Sequence, residues 1–324
     1  MSNRSDPVSA VRSFARSSAR AFAPGGIGNL GPGLDILGCA VTGPGDSVRA
    51  SFSDQPGVLV ADAGHPDLST DATTHASAIA ASEVLRRAGA RDVGLVLHVT
   101  KGLPLAGGQG GSAASALAGA AATNALLDDP LSRDELLMAA LVAEERVAGR
   151  HIDNLAPSLF GGVLLIRSIE PLSFVSLPVP DALRVVLVHP RMQLRTADAR
   201  AVLPATIDRQ TALAQAAAVA AMVAAFYSGN IDALRGTIDD RIAEPARARL
   251  LPGFIDAKHA ALDAGALGCS ISGGGPSAFA FADGDASARR ICDAMIAAYD
   301  AAGMRATGRV AEIDREGTRI VETT

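Results

Sequence analysis

Pro104-Leu-Ala-Gly-Gly-Gln-Gly-Gly-Ser-Ala-Ala114 is the stretch that decides how the chain is read. Four of its residues, Gly107, Gly108, Gly110 and Gly111, are glycines, which permit positive φ and let ligand oxygens approach the backbone amides. An Ala-rich segment follows and predicts a helix from about Ser112 to Leu127, thin enough to pack tightly. The free N–H groups and positive dipole end of such a helix face the loop and suit an anion. Ser112 adds a hydroxyl for a phosphate or a magnesium ion. No Lys follows the glycines, so this is not a Walker A loop, and alone it supports only phosphate binding at a helix start.

Before the loop, Val93, Leu95, Leu97 and Val99 alternate, predicting a strand with one buried face and Lys101 at its end as a phosphate contact or a solvated side chain. Farther back come a short strand Arg20–Ala23, the turn-rich segment Pro24–Gly33, strands Ser47–Phe52 and Val58–Ala61, and a helix Thr73–Ala88 ended by Gly89. Downstream, Ser132-Arg-Asp-Glu135 forms a capping box for a helix to about Val147, and Gly161–Arg167 is a strand. Pro171, Pro178 and Pro180 mark a domain boundary. Beyond it are a strand Arg184–His189, helices Asp208–Ser228, Ile231–Ile242 and Phe254–Ala264, strands flanking Gly273–Gly275, a helix Ala286–Ala302 and a closing strand pair. This order predicts α+β in both halves, with residues 1–19 a disordered tail, 20–175 an N-terminal ATP-binding domain and 176–324 a C-terminal domain.

Composition narrows the function. The chain of 324 residues is 48% hydrophobic and only 3% aromatic, with net charge -5, which excludes a nucleic-acid surface. No apolar run approaches the ~20 residues that span a bilayer, so no membrane partner is expected. Cys39, Cys269 and Cys292 lack metal-ligand spacing and read as core residues of a reducing, cytoplasmic compartment.

Three further constellations carry polar groups. The run Ala23–Gly38 holds Asn29 and Asp35 among turn residues, and Asp35 is suited to an amine or to capping the next element. The run Gly268-Cys-Ser-Ile-Ser-Gly-Gly-Gly-Pro-Ser-Ala-Phe-Ala-Phe281 places apolar strands around a three-glycine turn. The third has Glu144 and Glu145 near a helix end, then Gly149-Arg-His-Ile-Asp-Asn-Leu-Ala-Pro157, so one glutamate can bind magnesium beside His151, Asp153 and Asn154.

In that order the segments resemble the three motifs of the GHMP kinases (galactokinase, homoserine kinase, mevalonate kinase and phosphomevalonate kinase). The likeness covers nearly everything after Arg20. Within the family, Asn29–Asp35, His151–Gly162, Thr196–Pro204, Ala243–Arg247 and Leu250–Phe254 are similar to the homoserine kinases. The resemblance implies an N-terminal domain like domain 2 of ribosomal protein S5, a ferredoxin-like C-terminal domain, ATP and Mg²⁺, and a homodimer in the cytoplasm. It implies phosphorylation of the side-chain hydroxyl of L-homoserine in threonine biosynthesis. It places Asn29, Asp35, His151, Asn154, Arg200 and Arg247 around homoserine, with Asn154, Thr196 and Arg200 at the reacting groups. ATP would meet Lys101, Pro104, Gly107, Gly108, Gln109, Gly110, Gly111, Ser112 and Ala113, and the metal Ser112 and Glu144.

A zwitterion needs a carboxylate for its ammonium and arginines for its carboxylate, as Asp35 with Arg200 and Arg247 provide. Two departures stand out. Relatives carry Gly-Leu-Gly-Ser-Ser in the loop, whereas here Gly111 replaces the first serine and Gln109 the apolar residue, leaving backbone or Gln109 to replace the lost hydroxyl contact. The glutamate-to-histidine interval is also one residue short, so Glu145 stays open beside Glu144. Two other readings fit the same motifs: a kinase for another small hydroxylated metabolite, and a nucleotide-binding regulator without activity.

Overall fold

The computed structural model describes residues 16–147 and 149–324. Of the expected tail, residues 1–15 lie outside the described residues, while Ser18 and Ala19 already belong to the first strand. That strand, β1 (Ser18–Gly28), pairs antiparallel with the long β2 (Leu37–Ser53). β1 thus runs through Pro24, Gly26 and Gly28, and the turn expected from Pro24 starts only after Gly28. There Asn29, Leu30 and Asp35 adopt positive φ of 69°, 45° and 62°.

β3 (Gly57–Asp62), α1 (Ala76–Arg87) and β4 (Gly94–Thr100) follow, with β4 between β2 and β3. Then come α2 (Gly111–Asn124), α3 (Arg133–Val147), α4 (Leu155–Phe160), β5 (Val163–Ser168) and β6 (Ser173–Leu177). The capping box forms as expected: Glu135 Oε2 accepts from Ser132 N at 2.9 Å, and Ser132 Oγ from Glu135 N at 3.3 Å. Helices α1 to α4 pack on the first sheet through Ala, Leu and Val side chains.

The second half contains β7 (Leu183–Pro190), α5 (Thr196–Ala201), α6 (Arg209–Ser228), a 3₁₀ turn at Ile231–Leu234, α7 (Ala243–Ala248) and α8 (Phe254–Asp263). It ends with β8 (Gly268–Ile271), β9 (Ala278–Asp283), α9 (Gly284–Ala301), β10 (Ala306–Ala311) and β11 (Arg319–Thr323). The strands order as β10-β7-β9-β8, all antiparallel, which is the ferredoxin-like arrangement. One face packs on α8 and α9 through Val186, Phe254 and Ile291. A third core, with Ile27, Leu37, Phe226, Phe279 and Phe281, joins this sheet to the first.

Four expectations change. The predicted helix Ile231–Ile242 is only the 3₁₀ turn, because Gly236 takes φ 76° and Asp240 accepts from the amides of Ile242, Ala243 and Glu244, capping α7 instead. The closing strands are not a pair: β10 joins β7, whereas β11 returns to β1 in the first sheet. A cut at 175/176 passes through β6. Finally, α6 is by length and composition alone apolar enough to cross a membrane, contrary to the reading that no run approaches that length. Its Gln215, Met222, Ala225 and Phe226 are buried against the protein.

Close approach of α1 and α2 depends on Gly119, where a Cβ would lie 2.6 Å from Ser77 O and 2.8 Å from Ser77 Cα. The contact atoms are backbone and cannot turn aside. Gly119→Ala is therefore expected to lower unfolding stability by about 1–3 kcal/mol in urea titrations, as overpacking does. An unchanged or raised midpoint, as helix propensity alone dictates, would refute this packing account.

Candidate active site

The three glycine-rich segments meet backbone to backbone. Gly26 N donates to Gln109 O at 3.1 Å and Gly273 N to Gly28 O at 3.2 Å. Ser272 Oγ donates to Gly108 O and Ser277 Oγ to Gly107 O, both at 2.6 Å. A Cβ on Gly108 would come 2.6 Å from Gly275 O, so glycine is required for this approach. The segments border a cavity of about 710 Å³ that also takes in the start of α2, the end of α3 and α5.

Pro104, Gly107, Gly108, Gly110, Gly111 and Ser112 line it. Gly110 is the left-handed N-cap of α2, with φ 71°, and the first amides of a helix have no partner within it. Gln109 does not line the cavity; its side chain turns away, Nε2 donating to Ser277 Oγ at 3.1 Å, so it does not replace the hydroxyl lost at Gly111. Ala113 is likewise outside the lining and packs in the first core.

Lys101 lines the cavity and is largely buried, not solvated. Its ammonium is paired with buried Asp46 and donates to Ser115 Oγ at 2.9 Å and Gly111 O at 3.1 Å.

At the start of α2, Ser112 Oγ donates to Glu144 Oε2 at 2.9 Å. Glu144 is 4% exposed. Glu145 is exposed and paired with Arg150, away from Ser112, so the geometry favours Glu144. Burial raises the Glu144 pKa above its ordinary 4.5, against the opposing pull of His151 and the Ser112 hydroxyl; the nearby charge of Asp153 adds to the rise. A buried carboxylate and a hydroxyl, both oxygen donors, suit a hard divalent cation.

Asn154 stands between two motifs. A Cβ on Gly28 would be 2.7 Å from its Nδ2, and one on Gly110 3.2 Å from its Oδ1. Among the described residues Asn154 Oδ1 is buried without a donor. Asp153, placed by the sequence beside His151 and Asn154, lines the cavity and accepts from Asn29 N at 3.1 Å. His151 Nδ1 lies 3.4 Å from Asp153 Oδ1. Asn29 Oδ1 accepts from Asp35 N and its Nδ2 donates to Gly273 O, holding the strained turn.

Asn29, His151, Asn154, Thr196, Arg200 and Arg247 all line the cavity, but Asp35 does not. Its carboxylate is paired with Arg200 through two hydrogen bonds, 3.1 Å at Oδ2 and 2.5 Å at Oδ1. Burial alone would raise the Asp35 pKa, but Arg200, with His151 and Arg247, holds it below the ordinary value. Arg247 is buried and donates to Ala199 O at 3.0 Å and Gly273 O at 3.1 Å; burial and the charge of Arg200 lower its pKa. Unforeseen in the sequence were the loop Asp67–Ser69 and His75 at the far end of the cavity, and Asp46 beneath it. Asp46 stands just ahead of the strand expected at Ser47–Phe52 and gave no local signal of its partners.

The description "GHMP kinases N terminal domain" matches residues 75–162, and "GHMP kinases C terminal" matches residues 222–301. A homoserine kinase of Chlorobium phaeobacteroides is 38% identical over 94% of this chain and 99% of its own. One from Arabidopsis thaliana is 39% identical over 94% of this chain and 85% of its own. The crystal structure of homoserine kinase from Cytophaga hutchinsonii superposes with TM-score 0.90 at 38% identity, over 95% of this chain and 99% of that one. The L. major mevalonate kinase, solved with R-mevalonate, shares the fold at TM-score 0.68 and 18% identity, over 94% of this chain and 98% of that one.

Glu144 gives a test of the site's electrostatics. Its folded pKa is raised above 4.5, so its neutral form favours folding. That contribution is complete below 4.5 and is lost as pH rises through the folded pKa. Glu144→Gln is expected to raise the thermal midpoint at neutral pH, by a margin that shrinks as pH falls toward 4.5. A lower midpoint at every pH would show that the ionised carboxylate stabilises the fold.

Proposed function

The chain belongs to the GHMP kinases, in the homoserine kinase branch, and from that premise we propose that it transfers the γ-phosphoryl group of ATP to the side-chain hydroxyl of L-homoserine, giving O-phospho-L-homoserine. The observation that carries the reading is the direct meeting of the phosphate loop, the Asn29–Asp35 turn and the Gly273 turn around one cavity that Arg200 and Arg247 enter. The first amides of α2 receive the phosphates, supported by the helix dipole. Arg200 and Arg247 receive the substrate carboxylate, and Asp35 the ammonium, once Arg200 has exchanged partners. Asn154 Oδ1, buried beside Gly110 without a donor, accepts from the reacting hydroxyl and orients it. Thr196 and His151 complete the pocket. Positioning and charge stabilisation carry such a transfer, so no strong general base is assigned.

Ser112 and Glu144 would hold Mg²⁺. A bound Mg²⁺ neutralises charge on the phosphates. In this reading Glu144→Gln lowers kcat/KM by about a hundredfold or more, a loss of several kcal/mol of charge stabilisation. The reaction belongs to the cytoplasm, in keeping with three unpaired, buried cysteines.

A coupled-ADP assay across homoserine, mevalonate and sugars tests the substrate, with homoserine expected to be preferred. Nucleotide binding without homoserine-dependent ADP release would overturn the kinase reading. Arg247→Leu should raise the homoserine KM by about tenfold or more, because it strips a charged hydrogen-bond donor from the carboxylate. An unchanged KM would remove Arg247 from the substrate.

The homodimer is part of the same proposal and is supported by α6. No charge interrupts Gln210–Ser228, and Leu213 is 64% and Tyr227 58% exposed. A contiguous apolar face of this kind favours a second copy. Leu213→Glu is expected to shift the mass measured by sedimentation from dimer to monomer, and a monomeric wild type would sink the assignment.

A further inference from the structure

Asp46 lies inside β2, does not itself line the cavity and has no solvent exposure, but it contacts two residues that do, Lys101 and Ser115. Its Oδ1 accepts from Gly102 N at 3.1 Å and Leu103 N at 3.3 Å. Its Oδ2 accepts from Ser115 Oγ at 2.6 Å and from the Lys101 ammonium. Lys101 in turn donates to Ser115 Oγ and Gly111 O, so its three hydrogens are all committed within the protein. One carboxylate therefore holds both ends of the phosphate loop: the backbone entering it at Gly102 and Leu103, and the first turn of α2 at Gly111 and Ser115. The main chains are in contact as well, since a Cβ on Gly102 would come 2.2 Å from Gly45 O.

A buried ion pair is a poor source of stability, because desolvation offsets attraction. What it does supply is geometry. Four donors from two segments, Lys101–Leu103 and the start of α2, converge on two oxygens, and an apolar replacement cannot reproduce those directions. The helix start that presents Gly110–Ser112 to a phosphate is thereby fixed from below.

We propose that Asp46 is a positioning residue for phosphoryl transfer, acting through Lys101 and Ser115 to hold the glycine loop and the first turn of α2 in their nucleotide-binding arrangement. The proposal rests on the kinase reading of the loop. It reverses the simplest expectation for Lys101, whose ammonium holds the loop and does not bind the phosphate itself.

The two roles of Lys101 predict opposite signs. If Lys101 grips phosphate directly, Asp46→Asn releases its charge and leaves nucleotide binding unchanged or tighter, while Lys101→Met weakens it. If the pair positions the loop, both substitutions weaken binding in parallel, and the double variant is no worse than the weaker single one, because the residues act as a unit. The measurements are the Kd of a non-hydrolysable ATP analogue with Mg²⁺, by calorimetry, and steady-state KM for ATP and homoserine separately. The expected result is a rise of about tenfold in Kd and ATP KM for Asp46→Asn and Lys101→Met, with homoserine KM within about twofold.

Ser115→Ala strands no charge and serves where the other variants fail to fold; a weakening of about threefold in nucleotide Kd is expected. Unchanged or tighter nucleotide binding in Asp46→Asn, an unchanged Kd in Ser115→Ala, or equal losses in both KM values would overturn the proposal. A wild type that binds the analogue yet phosphorylates no homoserine would sink the kinase reading alone, since the Kd comparison still tests the positioning.

Discussion

Main-chain contact between three glycine-rich segments is the constraint on which the rest of this molecule depends. At Gly108 a Cβ would fall 2.6 Å from Ser272 O and Gly275 O, and at Gly28 and Gly38 it would fall 2.5 and 1.8 Å from Asp153. Glycine is required at that crossing, so this part of the site's wall is built of peptide groups whose positions are set by hydrogen bonds across it. The two sheets must then lie close enough for β1, the loop and the Gly273 turn to touch. The apolar core of Ile27, Leu37, Phe226, Phe279 and Phe281 holds them at that separation. Even the last strand serves this arrangement, because β11 crosses back to the edge of the first sheet and ties the chain's end beside its start.

The sequence revealed the parts of the site that have a local grammar. Glycine spacing marked the loop, and Ser132 with Glu135 marked the start of α3. The amphipathic and Ala-rich runs marked α1, α2 and α9. What it hid was set by distance. Ser112 and Glu144 are 32 positions apart, and only the packing of α2 on α3 shows which of two adjacent glutamates faces the serine. Asp46 and Lys101 are 55 apart and look like an acid before one strand and a base at the end of another until they are buried together. The misread helix after Ile231 had the right composition, but Gly236 and the carboxylate of Asp240 offered the backbone a different set of partners. Gln109 shows the converse limit: a polar residue in a binding loop turned into the interior to meet Ser277.

Charge at the site is arranged in pairs at different depths. The Asp46–Lys101 pair is buried beside the loop, and Glu144 is buried at the cavity wall with a hydroxyl and, among the described residues, no cationic hydrogen-bond partner. Burial raises the Glu144 pKa, so ionised Glu144 is at a cost that a divalent cation would relieve. The Asp35–Arg200 pair is instead partly exposed, at the cavity's edge.

That difference in depth matters for specificity. Asp35 and Arg200 are each other's hydrogen-bond partners. In the proposed reading, a zwitterion carries the same two charges and takes the place of each partner, ammonium on Asp35 and carboxylate on Arg200, with Arg247 adding a second cation. The exchange leaves the site's net charge as it was and leaves no ion unpaired. A neutral polyol of similar size would gain no such partners and would have to work around an intact ion pair. A monocarboxylate without an amine would draw Arg200 away and leave the partly exposed Asp35 without its partner, a loss that solvent screening keeps smaller than in a buried pair. Discrimination against both classes thus follows from the ion pair itself, by rejection of ligands that break it without replacing both halves.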